Sequence, residues 1–181
     1  MNLPNKLTIL RVLLVPFFLY FLLAEGGSGN TYKLISLSIF IIASATDYFD
    51  GYLARKHNLI TNFGKFMDPI ADKLLVNSAI IALLYNGEIG VVATIIIICR
   101  ELIISGFRLV AVTNNVVIAA GQLGKWKTVI QMIMVVCLLS GVQHINDITS
   151  LIGTILIYAS VLLSVVSCVD YIWKNKEVLK G

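Results

Sequence analysis

The chain has 181 residues, 58% of them hydrophobic and only 13% charged, with a formal net charge of +4 at pH 7. A mean hydropathy of +0.90 lies far above that of an ordinary soluble domain and points to a polytopic membrane protein. The positive charges are spread over separate connections instead of forming one stripe, which argues against a nucleic-acid-binding surface.

Apolar runs follow one another along the whole chain, at roughly 7–23, 32–55, 66–86, 89–113, 124–142 and 148–173. Each is close to the ~20 residues that carry a helix across a bilayer. The runs are continuously apolar, not alternating, and an open sheet edge is not viable in lipid, so strand spans are excluded. The expected fold is therefore an all-α integral membrane protein, a bundle of six transmembrane helices forming one membrane domain over residues 1–181. The start, "MNLPNKLTILRVLLVPFF", has the basic opening and apolar run of a secretory signal. Pro16 interrupts that run and no small-residue cleavage site follows cleanly, so it is read as the first span.

The breaks are short and carry turn residues: "AEGGSGN", "YNGEIG", "TNNVVIAAGQLG" and "SGVQHIND". Lys6, Arg11, Arg55, Lys56, Lys65, Lys125, Lys127, Lys174, Lys176 and Lys180 fall on one set of connections, while the other set holds little beyond Glu25, Lys33, Glu88 and Asp147. Lys and Arg mark the cytoplasmic side. An even number of spans then puts both termini there. Cys99, Cys137 and Cys168 form no CxxC pair and are expected to be small core residues. His57 and His144 fall in connections and are read as solvated, and Trp126, Tyr171 and Trp173 near span ends as interfacial anchors.

Against this apolar background, "DYFDGYLARKHNLITNFGKFMDPIAD" stands out. Asp47 and Asp50 lie three apart near the end of the second run, and Asp68 and Asp72 four apart near the start of the third, so each pair shares a helix face. Ionisable groups in a span cost about 2.5–3.5 kcal/mol each and need partners. An all-oxygen set suits a hard divalent ion, Mg²⁺ first and Mn²⁺ second. Four carboxylates exceed what one Mg²⁺ takes from protein, and two ions about 3.5–4 Å apart would clamp a phosphoryl transfer. Carboxylates alone fit a cation path or proton relay equally well. Gly51, Ala54 and Gly64 leave room for a bulky ligand, and Arg55 offers a fork for phosphate, neither of which an ion path requires.

These residues, with every spacing intact, resemble the signature of the CDP-alcohol phosphotransferase family, D-x2-D-G-x2-A-R-x8-G-x3-D-x3-D. The resemblance extends to the length of the chain and to six transmembrane helices. It implies an enzyme that transfers a substituted phosphate from a CDP-linked donor to an alcohol and releases CMP. Carried over by position, Asp47, Asp50, Asp68 and Asp72 would bind two divalent cations, with Asp68 and Asp72 catalytic and Asp72 the general base. Gly51, Ala54 and Gly64 would pack near the nucleotide and Arg55 would hold a donor phosphate. Asn5 and Thr8 match polar positions that the family places by the nucleotide on a short N-terminal interfacial helix; helix capping after Pro4 is the alternative. Family members commonly pair as homodimers, and the resemblance implies an active site at the cytoplasmic face among membrane lipids.

Acceptor choice falls on basic residues outside the signature. Arg100 and Arg108 lie eight apart in "CRELIISGFRLVA", and Lys125 and Lys127 open the fifth run in "GKWKTVIQ". Together they would hold a phosphate on the acceptor. Arg100 would alternatively only neutralise Glu101, and the two lysines would alternatively only mark the cytoplasmic side. The stretches "NLPNKLTILRVLLVPFF", "RELIISGFR" and "GKWKTVIQ" look most like family members that take CDP-diacylglycerol as donor and sn-glycerol 3-phosphate as acceptor. Inositol phosphate and a second phospholipid such as phosphatidylglycerol are the rival acceptors. A cation transporter and an aspartate-rich prenyltransferase are the remaining alternatives; the first predicts carboxylates spread through the membrane depth, and the second does not need the G-x2-A-R segment.

Overall fold

The computed structural model describes residues 2–24, 30–56, 62–113, 118 and 121–176, and for residues 3, 4, 30, 47–56, 62, 63, 65, 66, 69 and 113 it describes the backbone alone. Among the described residues the regular structure is all helix: α1 (Leu3–Leu23), α2 (Asn30–Lys56), α3 (Asn62–Tyr85), α4 (Val91–Thr113), α5 (Gln122–Ser140) and α6 (Asp147–Lys174), with a 3-10 turn at Val142–His144. The six apolar runs of the sequence each correspond to one helix. Among the described residues, Asn5–Leu23, Gln122–Ser140 and Asp147–Lys174 are long and apolar enough to cross a membrane, and the stretch Thr31–Thr46 within α2 is apolar as well. α3 and α4 are long enough at 24 and 23 residues, but Asp68, Asp72 and Lys73 on the one and Arg100, Glu101 and Arg108 on the other interrupt their apolar character.

The chain forms two compact units: Met1–Glu88 with Leu138–Gly141, and Ile89–Cys137 with Val142–Gly181. In the first, α1 packs against both α2 and α3. Its buried side runs Asn5, Thr8, Arg11, Val15, Phe18 and Leu22, steps of three and four that keep one helix face inward. Phe18 meets Phe40 of α2 with ring centroids 5.8 Å apart. The short interfacial helix expected before the first span is not a separate element, since Leu3–Leu23 is one continuous helix. Pro4 lies in the first turn, where a missing N–H costs nothing. Pro16 lies inside the helix on an exposed position, where it removes one backbone hydrogen bond without ending the helix.

In the second unit α4 packs against α6, whose inward face is Gly153, Ser160, Ser164, Ser167 and Tyr171. Small residues at these spacings let the helix backbones approach closely. α6 opens with a capping box: the Asn146 side chain accepts from the Thr149 N–H at 2.9 Å, and the Thr149 hydroxyl oxygen accepts from the Asn146 N–H at 3.2 Å. Gly87 and Gly141 take φ of 75° and 68° at the turns after α3 and α5, a conformation that favours glycine. Large apolar side chains such as Leu13, Phe17, Val92, Leu109, Leu162 and Val169 remain exposed on the helices, as expected of surfaces that meet lipid instead of water. The three cysteines are free, and Cys99 is exposed, not a core residue as its position in an apolar run suggested.

Candidate active site

The last turns of α2 carry Asp47, Asp50, Gly51, Ala54 and Arg55, and the first turns of α3 carry Gly64, Asp68 and Asp72. The side chains of the α2 set lie outside the described residues. On α3, Gly64 is buried and both aspartates are half-buried. α1 supplies the adjoining wall. Thr8, fully buried, donates a 2.7 Å hydrogen bond to Oδ1 of Asp68, and Asn5 is buried one turn earlier. The capping alternative does not hold for Thr8, which lies beyond the first turn of α1 and spends its hydroxyl on a carboxylate of another helix.

Arg11 was read from sequence only as a marker of the cytoplasmic side. It is fully buried, and its Nε donates to the carbonyl of Ala43 on α2 at 3.2 Å. That carbonyl also accepts from the Thr46 hydroxyl at 2.6 Å, one turn before Asp47. α1 thus reaches the acid-bearing segments of both α2 and α3 through two polar residues, three positions apart on its buried face. The spacing of Asn5, Thr8 and Arg11 was the available signal: three polar residues in the phase of an apolar core stripe.

In the second unit, Arg100, Glu101 and Lys127 form one cluster. Arg100 Nη1 lies 3.2 Å from Glu101 Oε1, and the Lys127 ammonium is bonded to the same oxygen. Arg100 Nη2 donates to the Ser167 hydroxyl at 3.2 Å, and Ser167 donates in turn to the Ser164 carbonyl at 3.3 Å. Arg100 therefore pairs with Glu101, as one reading of the sequence held, but Lys127 shares that carboxylate and is fully buried. Arg108 and Lys125 are exposed. Arg108 Nε donates to Tyr171 Oη at 3.3 Å, and its guanidinium carbon lies 5.6 Å from the ring centroid. Tyr171 is not an interfacial anchor: it is buried on α6 and meets Phe107 edge to face at 5.8 Å. Its place in the series Ser160, Ser164, Ser167, Tyr171 puts it on the packed side. Trp126 and Trp173 are exposed, in keeping with the anchor reading.

Comparison with known sequences gives these features a context. The CDP-alcohol phosphatidyltransferase family matches residues 1–166. The chain belongs to that family. Among curated relatives, it is 42% identical to the CDP-diacylglycerol–glycerol-3-phosphate 3-phosphatidyltransferase of Bacillus subtilis (strain 168), over 99% of this chain and 97% of the relative. The proteins of that name from Rickettsia bellii and Rickettsia felis are 37% and 36% identical, each over 94% of this chain and 93% of the relative.

The residues that resemble the family's signature therefore fall on two helix ends of one compact unit, with α1 packed on both helices. Among the described residues no group of three acidic, histidine or cysteine side chains assembles a metal site, and two of the four aspartates lie outside that set. What is described suits a hard cation. Asp68 and Asp72 offer only oxygen, and the Thr8 hydrogen bond occupies one Asp68 oxygen while orienting the carboxylate. His57 lies outside the described residues, and His144 ends the 3-10 turn.

Proposed function

We propose that this chain transfers the phosphatidyl group of CDP-diacylglycerol to sn-glycerol 3-phosphate, giving phosphatidylglycerophosphate and CMP. The observation that carries this reading is 42% identity over 99% of the chain to a relative named for that reaction, with the eight signature residues in place. Asp47, Asp50, Asp68 and Asp72 would hold two divalent cations, Mg²⁺ or Mn²⁺. When bound, such cations supply charge neutralisation of the diphosphate and polarisation of the attacking hydroxyl. Gly51, Ala54 and Gly64 leave space for the cytidine, and Arg55 binds a donor phosphate as a bidentate fork. Asn5 belongs to the same donor region, and Thr8 acts there through Asp68.

Arg108, Lys125, Lys127 and Arg100 provide the positive charge for the acceptor's phosphate, which favours a phosphorylated alcohol over serine or choline. Asp72 accepts the proton of the primary hydroxyl of glycerol 3-phosphate. The oxygen bonds to the β-phosphorus, the bond to the bridging oxygen breaks, and CMP leaves with that electron pair. A carboxylate is a weak base beside cations, so positioning and charge neutralisation account for most of the rate. The six helices are taken as six spans with both termini and the site at the cytoplasmic face, in keeping with the lysine and arginine distribution. A homodimer is the expected assembly.

The test is CMP release by the purified protein with CDP-diacylglycerol and Mg²⁺, comparing glycerol 3-phosphate, inositol phosphate and serine, with a chelator as control. Chelator-sensitive release with glycerol 3-phosphate alone supports the proposal. Release with another acceptor instead would reassign the substrate, and the absence of release with any acceptor would overturn the reaction.

A further inference from the structure

The cluster on α4, α5 and α6 carries more than the acceptor reading assigns to it. Glu101 belongs to no signature position, yet two of the proposed phosphate-binding cations meet on a single oxygen of its carboxylate. The Arg100, Glu101 and Lys127 side chains are only 11%, 17% and 1% exposed. Buried ammonium and guanidinium groups keep their geometry only where a carboxylate compensates their desolvation. Arg100 is tied from a second side by Ser167, which is held by the Ser164 carbonyl. A Cβ placed on Gly124 would lie 3.5 Å from Arg100 Nη2, so α5 passes close against the guanidinium.

One further observation bears on a ligand. Arg100 Nε is buried without a hydrogen-bond partner among the described residues. Among the described residues that N–H has no acceptor, and a buried donor of that kind is costly unless an acceptor or a water arrives. The exposed cations Arg108 and Lys125 stand on the same two helices as Arg100 and Lys127.

We propose that Glu101 is the positioning residue of the acceptor-phosphate site, its carboxylate holding the Lys127 ammonium and the Arg100 guanidinium in place to receive the phosphate of the alcohol substrate. This rests on the reading above that Lys127 and Arg100 bind that phosphate. Glu101 does not touch the substrate; it acts through the two cations. With glutamine at this position, two buried cations lose their shared carboxylate and reorient, and the acceptor binds more weakly while the donor does not.

The experiment uses the full-length protein in detergent with CDP-diacylglycerol, Mg²⁺ and glycerol 3-phosphate, measuring CMP release for wild type, Glu101→Gln, Glu101→Asp and Lys127→Ala. Glu101→Gln is expected to raise the acceptor KM about tenfold or more, with the donor KM changed less than about twofold. Glu101→Asp, which keeps the charge on a shorter stem, is expected to fall between wild type and Glu101→Gln. A merely structural glutamate would lower the amount of active protein and leave the ratio of the two KM values unchanged. An unchanged acceptor KM in Glu101→Gln beside a raised one in Lys127→Ala would overturn the positioning role alone. Unchanged acceptor KM values in both would overturn the acceptor-site reading and this inference with it. A lowered acceptor KM in Glu101→Gln would make the carboxylate a competitor of the phosphate and likewise overturn the proposal. Should Glu101→Gln fail to accumulate folded, Glu101→Asp carries the test: an acceptor KM raised about threefold at constant donor KM supports it, and an unchanged one overturns it.

Discussion

Thr8 on α1 donates a 2.7 Å hydrogen bond to Asp68 on α3, sixty positions away in sequence. A hydroxyl held by burial and spent on one carboxylate oxygen selects the rotamer of that carboxylate. The first helix is thereby tied to the acid-bearing start of α3 by a polar contact as well as by apolar packing.

Replacing Thr8 by valine keeps the shape of the side chain and removes the donor. A hydrogen bond to a charged acceptor contributes about 1.5–3 kcal/mol. The prediction is that Thr8→Val raises the Mg²⁺ concentration for half-maximal CMP release about tenfold, while Thr8→Ser stays near wild type. Mg²⁺ titration of the two variants, with Mn²⁺ binding followed by electron paramagnetic resonance, checks this. An unaltered metal requirement in Thr8→Val would show that Asp68 is oriented by other contacts.

Asp72→Asn removes the assigned base and keeps the size of the side chain. Turnover is expected to fall about 10²–10⁴-fold, with much of the CDP-diacylglycerol binding retained. Parallel CMP-release and donor-binding measurements separate the two effects. Turnover at the wild-type rate would rule out the base assignment.

Arg11→Met should act on stability before it acts on chemistry. The guanidinium is fully buried and bonded to the Ala43 carbonyl, so methionine forfeits a buried hydrogen bond at a cost of about 1–3 kcal/mol. A lowered midpoint of thermal unfolding in detergent is the expected result, with only partial recovery in Arg11→Lys because an ammonium lacks the guanidinium fork. A midpoint equal to wild type would remove Arg11 from the supports of α2.

Arg108 and Tyr171 give a graded pair. Arg108→Ala removes an exposed cation and is expected to raise the acceptor KM with little effect on the donor KM. Tyr171→Phe loses the Oη that accepts from Arg108 but keeps the ring beside the guanidinium, where the cation–π contact contributes about 0.5–1 kcal/mol. A small rise in acceptor KM, about two- to threefold, is therefore expected of Tyr171→Phe. Equal effects of the two variants would place the binding role on the hydroxyl instead of the cation.

The six helices were legible because each is a local pattern. Runs such as 7–23 and 148–173 needed only continuous apolarity and short polar breaks, and they reappear as Leu3–Leu23 and Asp147–Lys174. The separate interfacial helix was implied by the family resemblance and not by the residues themselves: Pro4 sits at a helix start, where it is no breaker, and Leu3–Leu23 continues as one helix. Tyr171 was misjudged for a related reason. A position near a span end fits both an interfacial anchor and a core contact, and only the helix phase shared with Ser164 and Ser167 separates the two.

The sequence by itself determined the helical class, the membrane environment and the signature residues, because these rest on composition and on spacings within neighbouring helices. Tertiary structure alone decided that Thr8 bonds Asp68, that Arg11 is buried against α2, and that Arg100 and Lys127 share Glu101. The physical reason is that a charged or polar side chain in an apolar helix must find a partner, whereas its identity depends on which helix face lies within 3 Å or so across the packing interface. No periodicity along one helix contains that distance.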